Sequence, residues 1–572
     1  MKSTILSRRD MDFLLYEWLD VEKLTKLDRF SEHSRETFDG VLDLCEQLAT
    51  RYFAPHNKLS DANEPTFDGQ TVTLIPEVKE AWDAFAAADL IAMGFDDELG
   101  GAQLPVTVAQ AAFAWIAAAN VSTSGYLMLT IANANLLARF GSAEQIERFV
   151  KPMLAGRFSG TMALSETQAG SSLADITTRA EPQPDGSYRV FGSKMWISGA
   201  EHEMTENIVN LVLAKIPGGP AGTKGISLLI VPKYLDDGSR NGVAISGLNH
   251  KMGQRGISNT VLNFDGAVGY LVGEPHRGIV YMFHMMNEAR LGVGMGAVAL
   301  GYTGYLKSLE YARERPQGRP LGIKDPSTPQ VPIIEHADVK RMLLAQKAYV
   351  EGGLALALYC TKLVDIGSAD DTAVLDILTP IAKSWPSQWC VEANNLAIQV
   401  HGGYGYTREY DVEQHYRDNR LNPIHEGTHG IQSLDLLGRK VTQNGGASLA
   451  ALGERIAATV AAASDAAPEL ATQLDAAWQR LVTVTGSMFA SGDIEAAMGN
   501  SAVYLEAFGH IVVAWIWLEQ FLAADGRTGD FYDGKRQAAR YFFHYELPRT
   551  APQLDLLESL DRTTLEMRDN WF

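Results

Sequence analysis

The sequence predicts an α+β fold that is mainly α: helices first, a run of strands in the middle, and helices again to the end. Three observations carry this. Apolar residues recur at helical spacing before residue 158, short β-branched and aromatic runs take over until about Gly273, and helical spacing returns from about Arg277. At 572 residues the chain exceeds the usual single-domain range, which predicts three or four compact units.

Taken in order, Phe38 to Tyr52 places Val41, Leu42, Cys45, Leu48 and Ala49 on one helical face, and Pro55 ends the pattern. A loop rich in Asp, Asn, Pro and Gly follows. Ala-rich helical segments then run from about Pro76 through Phe140. Beyond Phe158, the runs Tyr188–Phe191, Ile208–Leu213 and Ile226–Val231 are bounded by Pro and Gly and read as strands. Pro184-Asp185-Gly186 supplies a turn. Helices return to roughly Lys440, interrupted by a Pro- and Gly-rich loop from Arg315 to Pro332. Gly445-Gly446 marks a boundary before the Ala-rich segments Leu449–Ala463 and Gln473–Phe489. The expected parts are therefore 1–157 (helical), 158–273 (strands), 274–445 (helical bundle) and 446–572 (a further helical unit).

A net charge of −20 argues against a large nucleic-acid footprint, which needs clustered Lys and Arg to neutralise phosphates. Cys45, Cys360 and Cys390 are too scattered for a disulfide framework or a zinc site. The thirteen histidines lack zinc-enzyme spacing, so no metal is expected and His401, His425 and His429 read as pocket or core residues. The N-terminus does not read as a signal peptide. Ile511–Ala524 is the most membrane-like stretch, but it is short and carries Glu519 and Gln520, so it is expected to be a buried helix rather than a span. The expected location is cytoplasmic.

Three segments stand out for chemistry. Met162 to Ser172, with Leu164, Ser165, Gly170 and Ser171, is a loop of small and hydroxylated residues whose backbone N–H groups can approach a phosphate or a ring closely. Alone, it reads as an ordinary polar loop. In Lys194 to Ala200, Trp196 and Ser198 stand two residues apart and would share a face of an extended strand, the indole covering a planar ring and the hydroxyl its edge. Alone, that pair reads as a core Trp with an incidental Ser. The third segment runs from Gln399 through Gly402 and Gly403 to Glu426-Gly427-Thr428. A carboxylate held in a water-poor pocket can have a raised pKa, which suits a base acting on carbon, although a glutamate before glycine is more often a loop residue or a helix-start acid.

In this order and spacing the three segments resemble the acyl-CoA dehydrogenase family, from Leu14 to Lys440. The resemblance implies a helical N-terminal domain, a β-barrel-like middle domain and a helical bundle, with FAD as cofactor. It places Met162, Leu164, Ser165 and Ser171 at the flavin and its phosphates, Ser171 also near the thioester, Trp196 beside the isoalloxazine, and Ser198 at its N5 edge. Arg315, Gln399, Gly402 and Gly403 match the set that reaches FAD from a neighbouring subunit, which implies a homodimer or a dimer of dimers. Glu426 falls on the catalytic base, Gly427 beside it at the substrate, and Thr428 on a flavin contact. Arg290 and Asn287 fall at the substrate pocket. Some relatives hold their base just before this arginine, where Ala289 stands here.

The implied reaction is α,β-dehydrogenation of an acyl-CoA to the trans-2-enoyl-CoA: Glu426 takes the α-proton, the β-hydrogen leaves as hydride to flavin N5, and an electron-transfer flavoprotein accepts the electrons. The opening Arg9 to Glu17, the Arg290 to Gly294 run, the Arg313 to Arg319 loop and the added C-terminal unit resemble the enlarged subgroup that includes 3-methylmercaptopropionyl-CoA dehydrogenase. That thioester or a fatty acyl-CoA of β-oxidation is the implied substrate. Thr167-Gln168, His425 and Gln317 depart from the common family pattern and bear on acyl-chain preference and flavin environment. The competing readings are a flavin oxidase or monooxygenase of the same fold and a DNA-binding flavoprotein. Gly292-Val293-Gly294-Met295-Gly296 lies in a helical stretch and reads as close helix packing rather than a dinucleotide loop.

Overall fold

The computed structural model describes residues Ser3 to Phe572, the side chains of His284, Met285 and Asn287 excepted, so the expected role of Asn287 lies outside the described residues. The chain folds into two compact bodies. One is Leu27–Ala289, and the other joins Met1–Lys26 to Arg290–Phe572.

The first body begins with the helix Arg35–Leu48 (α1), where Ser34 and Thr37 exchange side-chain and backbone hydrogen bonds in a capping box. Its buried face is Phe38, Leu42, Cys45 and Leu48, as the sequence spacing predicts. After Pro76–Ala87 (α2) come Val106–Ala119 (α3) and Val121–Phe140 (α4). Asn120 separates α3 from α4 because its backbone is extended while its side chain accepts the Thr123 N–H at 3.0 Å, capping the second helix.

Seven strands follow: Phe158–Ala163 (β1), Arg179–Pro182 (β2), Tyr188–Ser198 (β3), Asn207–Lys215 (β4), Ile226–Pro232 (β5), Val243–Leu248 (β6) and Asn259–Leu271 (β7). Their order is β1-β4-β2-β3-β7-β5, with β6 on β7 and a further pairing of β4 with β5. The pairings β4–β2–β3–β7–β5 thus return to β4 and close a ring, which accounts for the barrel-like character. Both β4 and β5 are buried along almost their whole length, so they read as continuous apolar runs rather than alternating ones. Helix α4 fixes β1 in place. Asn133 Nδ2 donates to Thr161 O at 3.1 Å and Val209 O at 2.8 Å, and a Cβ at Gly160 would sit 2.7 Å from Asn133 Cβ, so only glycine allows that approach.

The helix Gly278–Glu314 (α5) carries the chain into the second body, followed by Ala337–Ile366 (α6), Ala369–His401 (α7), Val412–Asn419 (α8) and His429–Asp435 (α9). Helix α7 contains Pro380 and Pro386. Pro386 has no N–H to give to the carbonyl of Ala382. That carbonyl faces α5, where a Cβ on Gly294 would lie 2.0 Å from it. Gly294, in the glycine run at 292–296, therefore serves close helix packing, whereas a Cβ on Gly296 would meet nothing within 4 Å.

Gly445 and Gly446, both left-handed, lead into Ala447–Ala462 (α10), Pro468–Ala490 (α11), Ser501–Ala524 (α12), Asp530–Tyr541 (α13) and Thr550–Glu558 (α14). The membrane-like stretch is longer than its apolar core suggested. It belongs to the 24-residue α12, long and apolar enough to cross a membrane by composition, yet 83% of its apolar window is buried inside the protein. Burial, rather than shortness, marks it as a core helix.

Residues up to Lys26 belong with this body rather than with the helices that follow them. The reason is a buried charge cluster. Lys535 Nζ contacts Asp10, Glu351 at 2.8 Å and Gln520 at 2.9 Å, and Tyr302 donates to Asp10 at 2.8 Å. Phe13 packs edge-on against Phe531, and Trp18 donates to Glu519. Nothing in the local pattern of residues 3–26 signals partners so remote in sequence.

Candidate active site

In the first body, the segment after β1 is organised around Glu166. Its backbone pairs with Ala169 in a tight turn, and its buried carboxylate accepts hydrogen bonds from Thr177 N (2.7 Å), Thr177 Oγ1 (2.7 Å), Thr178 N (2.9 Å) and Gln168 Nε2 (2.8 Å). Lys194 Nζ completes the set at 3.0 Å and also donates to Leu164 O at 2.9 Å. Burial pushes the Glu166 pKa up, but Lys194 and these donors hold it well below the carboxylate range. Burial lowers the Lys194 pKa to about 8 against the pull of Glu166. Met195 N donates to Ser165 O at 2.9 Å. The loop 162–172 and the strand end 194–198 are thus one tied unit. Met162, Leu164 and Ser165 are half-buried and Ser171 is exposed.

The alternation that predicts a shared strand face for Trp196 and Ser198 is interrupted at Trp196. The register of β3 against β7 slips between Lys194 and Ile197, and Trp196 occupies the bulge with φ +67°. The indole is swung outward and is 60% exposed, so it is not a core tryptophan either. Ser198 stays half-buried, accepting from Asn259 Nδ2 at 3.0 Å, with its carbonyl bonded by Thr161 Oγ1 at 2.6 Å. A large aromatic held out in a left-handed conformation is strained and apolar at once, an arrangement that persists where the surroundings or a ligand require it.

In the second body, Glu426 is also left-handed, φ +53°, and Gly427 follows at φ +91°. A Cβ on Gly427 would lie 2.5 Å from Gln432 Nε2, which donates to the carbonyls of Glu426 (3.1 Å) and Gly427 (3.3 Å). Lys383, fully buried on α7, donates to Asn422 O at 2.8 Å and Gly427 O at 2.7 Å. Thr428 caps α9 through the Ile431 N–H. The Glu426 carboxylate is half-buried and has no hydrogen-bond partner among the described residues. Burial raises its pKa, against the opposing charges of Lys383 and Arg290.

A file of buried amides supports this turn. Asn394 donates to Leu300 O (3.0 Å), Asn419 to Asn394 Oδ1 (2.7 Å) and Asn422 to Asn419 Oδ1 (2.8 Å), with His425 Nε2 against Asn422 Oδ1 at 3.0 Å. Burial lowers the His425 pKa to about 3, aided by the Lys383 charge, so this histidine is neutral and donates a hydrogen bond from Nε2–H to Asn422 Oδ1. Arg290 is buried and paired with Asp435 at 2.8 Å. It stands within electrostatic reach of Glu426 rather than at an open surface.

Arg315, Gln399, Gly402 and Gly403 are all exposed. The Arg315 guanidinium lies 5.6 Å over the Tyr404 ring, which brings the loop after α5 to the end of α7. A Cβ on Gly402 or Gly403 would meet nothing within 4 Å, so their backbones face open space. The residues that sequence reading missed are Glu166, Lys194, Lys383 and the three asparagines. Their only signal was polar chemistry inside or beside the chosen segments.

Family profiles match nearly the whole chain. The acyl-CoA dehydrogenase N-terminal domain matches residues 39–157, the middle domain 161–267, the C-terminal domain 276–441, and the acetyl-CoA dehydrogenase C-terminal-like domain 452–568. The 3-methylmercaptopropionyl-CoA dehydrogenase of Ruegeria pomeroyi is 35% identical over 550 residues, covering 92% of this chain and 93% of its own. The broad-specificity linear acyl-CoA dehydrogenase FadE5 of Mycobacterium tuberculosis is 33% identical, covering 99% of both. The crystal structure of an acyl-CoA dehydrogenase complexed with FAD from Bacillus anthracis has the same fold, with a TM-score of 0.76 at 19% identity over 94% of this chain and 90% of that one. The chain therefore belongs to the acyl-CoA dehydrogenase family and is an FAD-dependent oxidoreductase acting on acyl-CoA.

Proposed function

We propose that the chain converts a saturated acyl-CoA to the trans-2-enoyl-CoA, with Glu426 taking the α-proton as the β-hydrogen departs as hydride. The observation that carries this reading is the state of the Glu426 carboxylate: half-buried, unbonded among the described residues, and raised in pKa by burial. A carboxylate satisfied by several donors is a poor base, whereas one left without them is poised to accept a proton from carbon.

The α-hydrogen of a thioester is a weak acid, so the developing enolate oxygen needs donors that do not have to reorganise. The left-handed backbone at Glu426 leaves its own N–H without a protein acceptor among the described residues, and that N–H is the proposed donor. Gly427 and Arg290 complete the substrate side, together with Asn287. When bound, FAD supplies the hydride acceptor at N5. The outward indole of Trp196, the hydroxyls of Ser165, Ser171 and Ser198, and the open loop at Gly170 fit a planar, anionic cofactor, as do Met162, Leu164 and Thr428. Arg315, Gln399, Gly402 and Gly403 are the proposed contacts to the flavin of a second copy in a homodimer or dimer of dimers. An electron-transfer flavoprotein is the proposed acceptor, and 3-methylmercaptopropionyl-CoA or a fatty acyl-CoA the proposed substrate, as the relatives' names suggest.

Anaerobic flavin bleaching against acyl-CoAs of different length and substitution tests the reading. At least one saturated thioester bleaches the wild-type enzyme, while Glu426→Gln keeps its FAD and does not respond. Bleaching of the variant at the wild-type rate refutes the assignment of the base.

A further inference from the structure

Lys383 sits between two prolines on α7, fully buried, with its ammonium bonded to two backbone carbonyls and to no carboxylate among the described residues. A buried cation without a counterion is unfavourable unless its surroundings need it. Its two acceptors, Asn422 O and Gly427 O, flank the strained residue Glu426 on either side. We propose that Lys383 is a positioning residue for the base: its ammonium clamps both ends of the turn that carries Glu426 and supplies the uncompensated positive charge behind that carboxylate. The proposal rests on Glu426 being the base.

The other positive charge acting on Glu426 is that of Arg290, whose effect ranks below that of Lys383. Arg290, from α5, shares its charge with Asp435 of α9, to which it is bonded at 2.8 Å. His425 and His429 are held neutral at working pH, with pKa values lowered by burial to about 3 and about 4, each also by the Lys383 charge, and for His429 by Arg420 after α8 as well. Burial lowers the pKa of Lys383 itself to about 8, with Glu426 pulling it back up, so it is charged through the acidic and neutral range. Its charge opposes the upward push of burial on Glu426 and keeps that residue ionised to lower pH. Gln can donate to a carbonyl as well but carries no charge, so it separates the satisfaction of two carbonyls from the electrostatic role.

The test is the pH profile of kcat/KM in the FAD-loaded, full-length enzyme. In Lys383→Met and Lys383→Gln the acidic limb moves to higher pH, and at the acidic end each loses about tenfold more activity than at its own plateau. Lys383→Arg keeps the limb where it is in wild type. Limbs that coincide in wild type, Met and Gln variants overturn the proposal. A second readout needs no turnover: the rise in Tm produced by Glu426→Gln is larger in the Lys383→Met background than in wild type, because the attraction it removes is already gone. Equal rises overturn the proposal. If Glu426→Gln is itself active, the base assignment falls; if it is inactive and the limbs coincide, only the role of Lys383 falls.

Discussion

Each body of the molecule places a glutamate near a buried lysine, and the two pairs are wired in opposite ways. Glu166 takes the Lys194 ammonium directly and collects further donors from Thr177, Thr178 and Gln168, so its charge is fully satisfied. Lys383 instead gives its hydrogens to the backbone around Glu426 and leaves that carboxylate bare. One arrangement makes a brace and the other leaves a carboxylate free for the proposed proton transfer, although both use the same two side-chain types. The count of donors on the carboxylate, rather than the presence of a lysine, separates scaffold from chemistry.

The largest effect is expected at Glu426, the proposed base. Glu426→Gln is expected to lower the rate of anaerobic bleaching by roughly 100- to 10,000-fold, the usual range for removing a general base, with FAD content unchanged. At the brace, Glu166→Ala leaves a buried ammonium unpaired, which costs about 3–5 kcal/mol. Loss of flavin on gel filtration together with a large fall in Tm would bear this out, and an unchanged Tm would contradict it. Trp196→Gly relieves the left-handed strain and removes the outward ring. The apoprotein should gain about 1 kcal/mol in chemical denaturation, while flavin affinity, followed by fluorescence titration, falls about tenfold.

The smallest effect separates the two glutamates by pH. Glu166 has a depressed folded pKa, so its contribution is present above the unfolded value of about 4.3 and is lost as pH falls below it toward the folded pKa. Glu426 has a raised folded pKa, so any stability it lends is present below about pH 4.3 and is lost as pH rises through the folded value. At pH 7 it is therefore a burden, and Glu426→Gln should raise Tm by about 1–2 °C, whereas Glu166→Gln should lower it. Shifts of the same sign in a thermal scan would remove the distinction between the two glutamates.

The helix–strand–helix order was legible because periodicity reports which face of each element is buried, and α1, β4 and β5 follow their apolar pattern closely. The segments around Ser165, Trp196 and Glu426 were legible as strings. Their geometry was not, because a bulge at Trp196 breaks the two-residue alternation on which face assignment depends. Lys194 and Lys383 were invisible as structural residues, since a lysine in a sequence is ordinarily a solvated one. The length of α12 was underestimated because Tyr504, Phe508 and His510 extend its buried face beyond the strongly apolar stretch.

The contacts of Trp18 with Glu519, 501 residues away, and of Asp10 with Lys535 have a consequence for biosynthesis. At ribosomal speeds of ~5–20 residues per second, the opening segment waits roughly 25–100 s for its partners to emerge. During that interval Phe13, Leu14 and Leu15, all destined for burial, are without those partners. The segment 3–26 is thus among the last parts to settle, and a nascent chain stalled before α13 would hold Phe13 without its Phe531 partner.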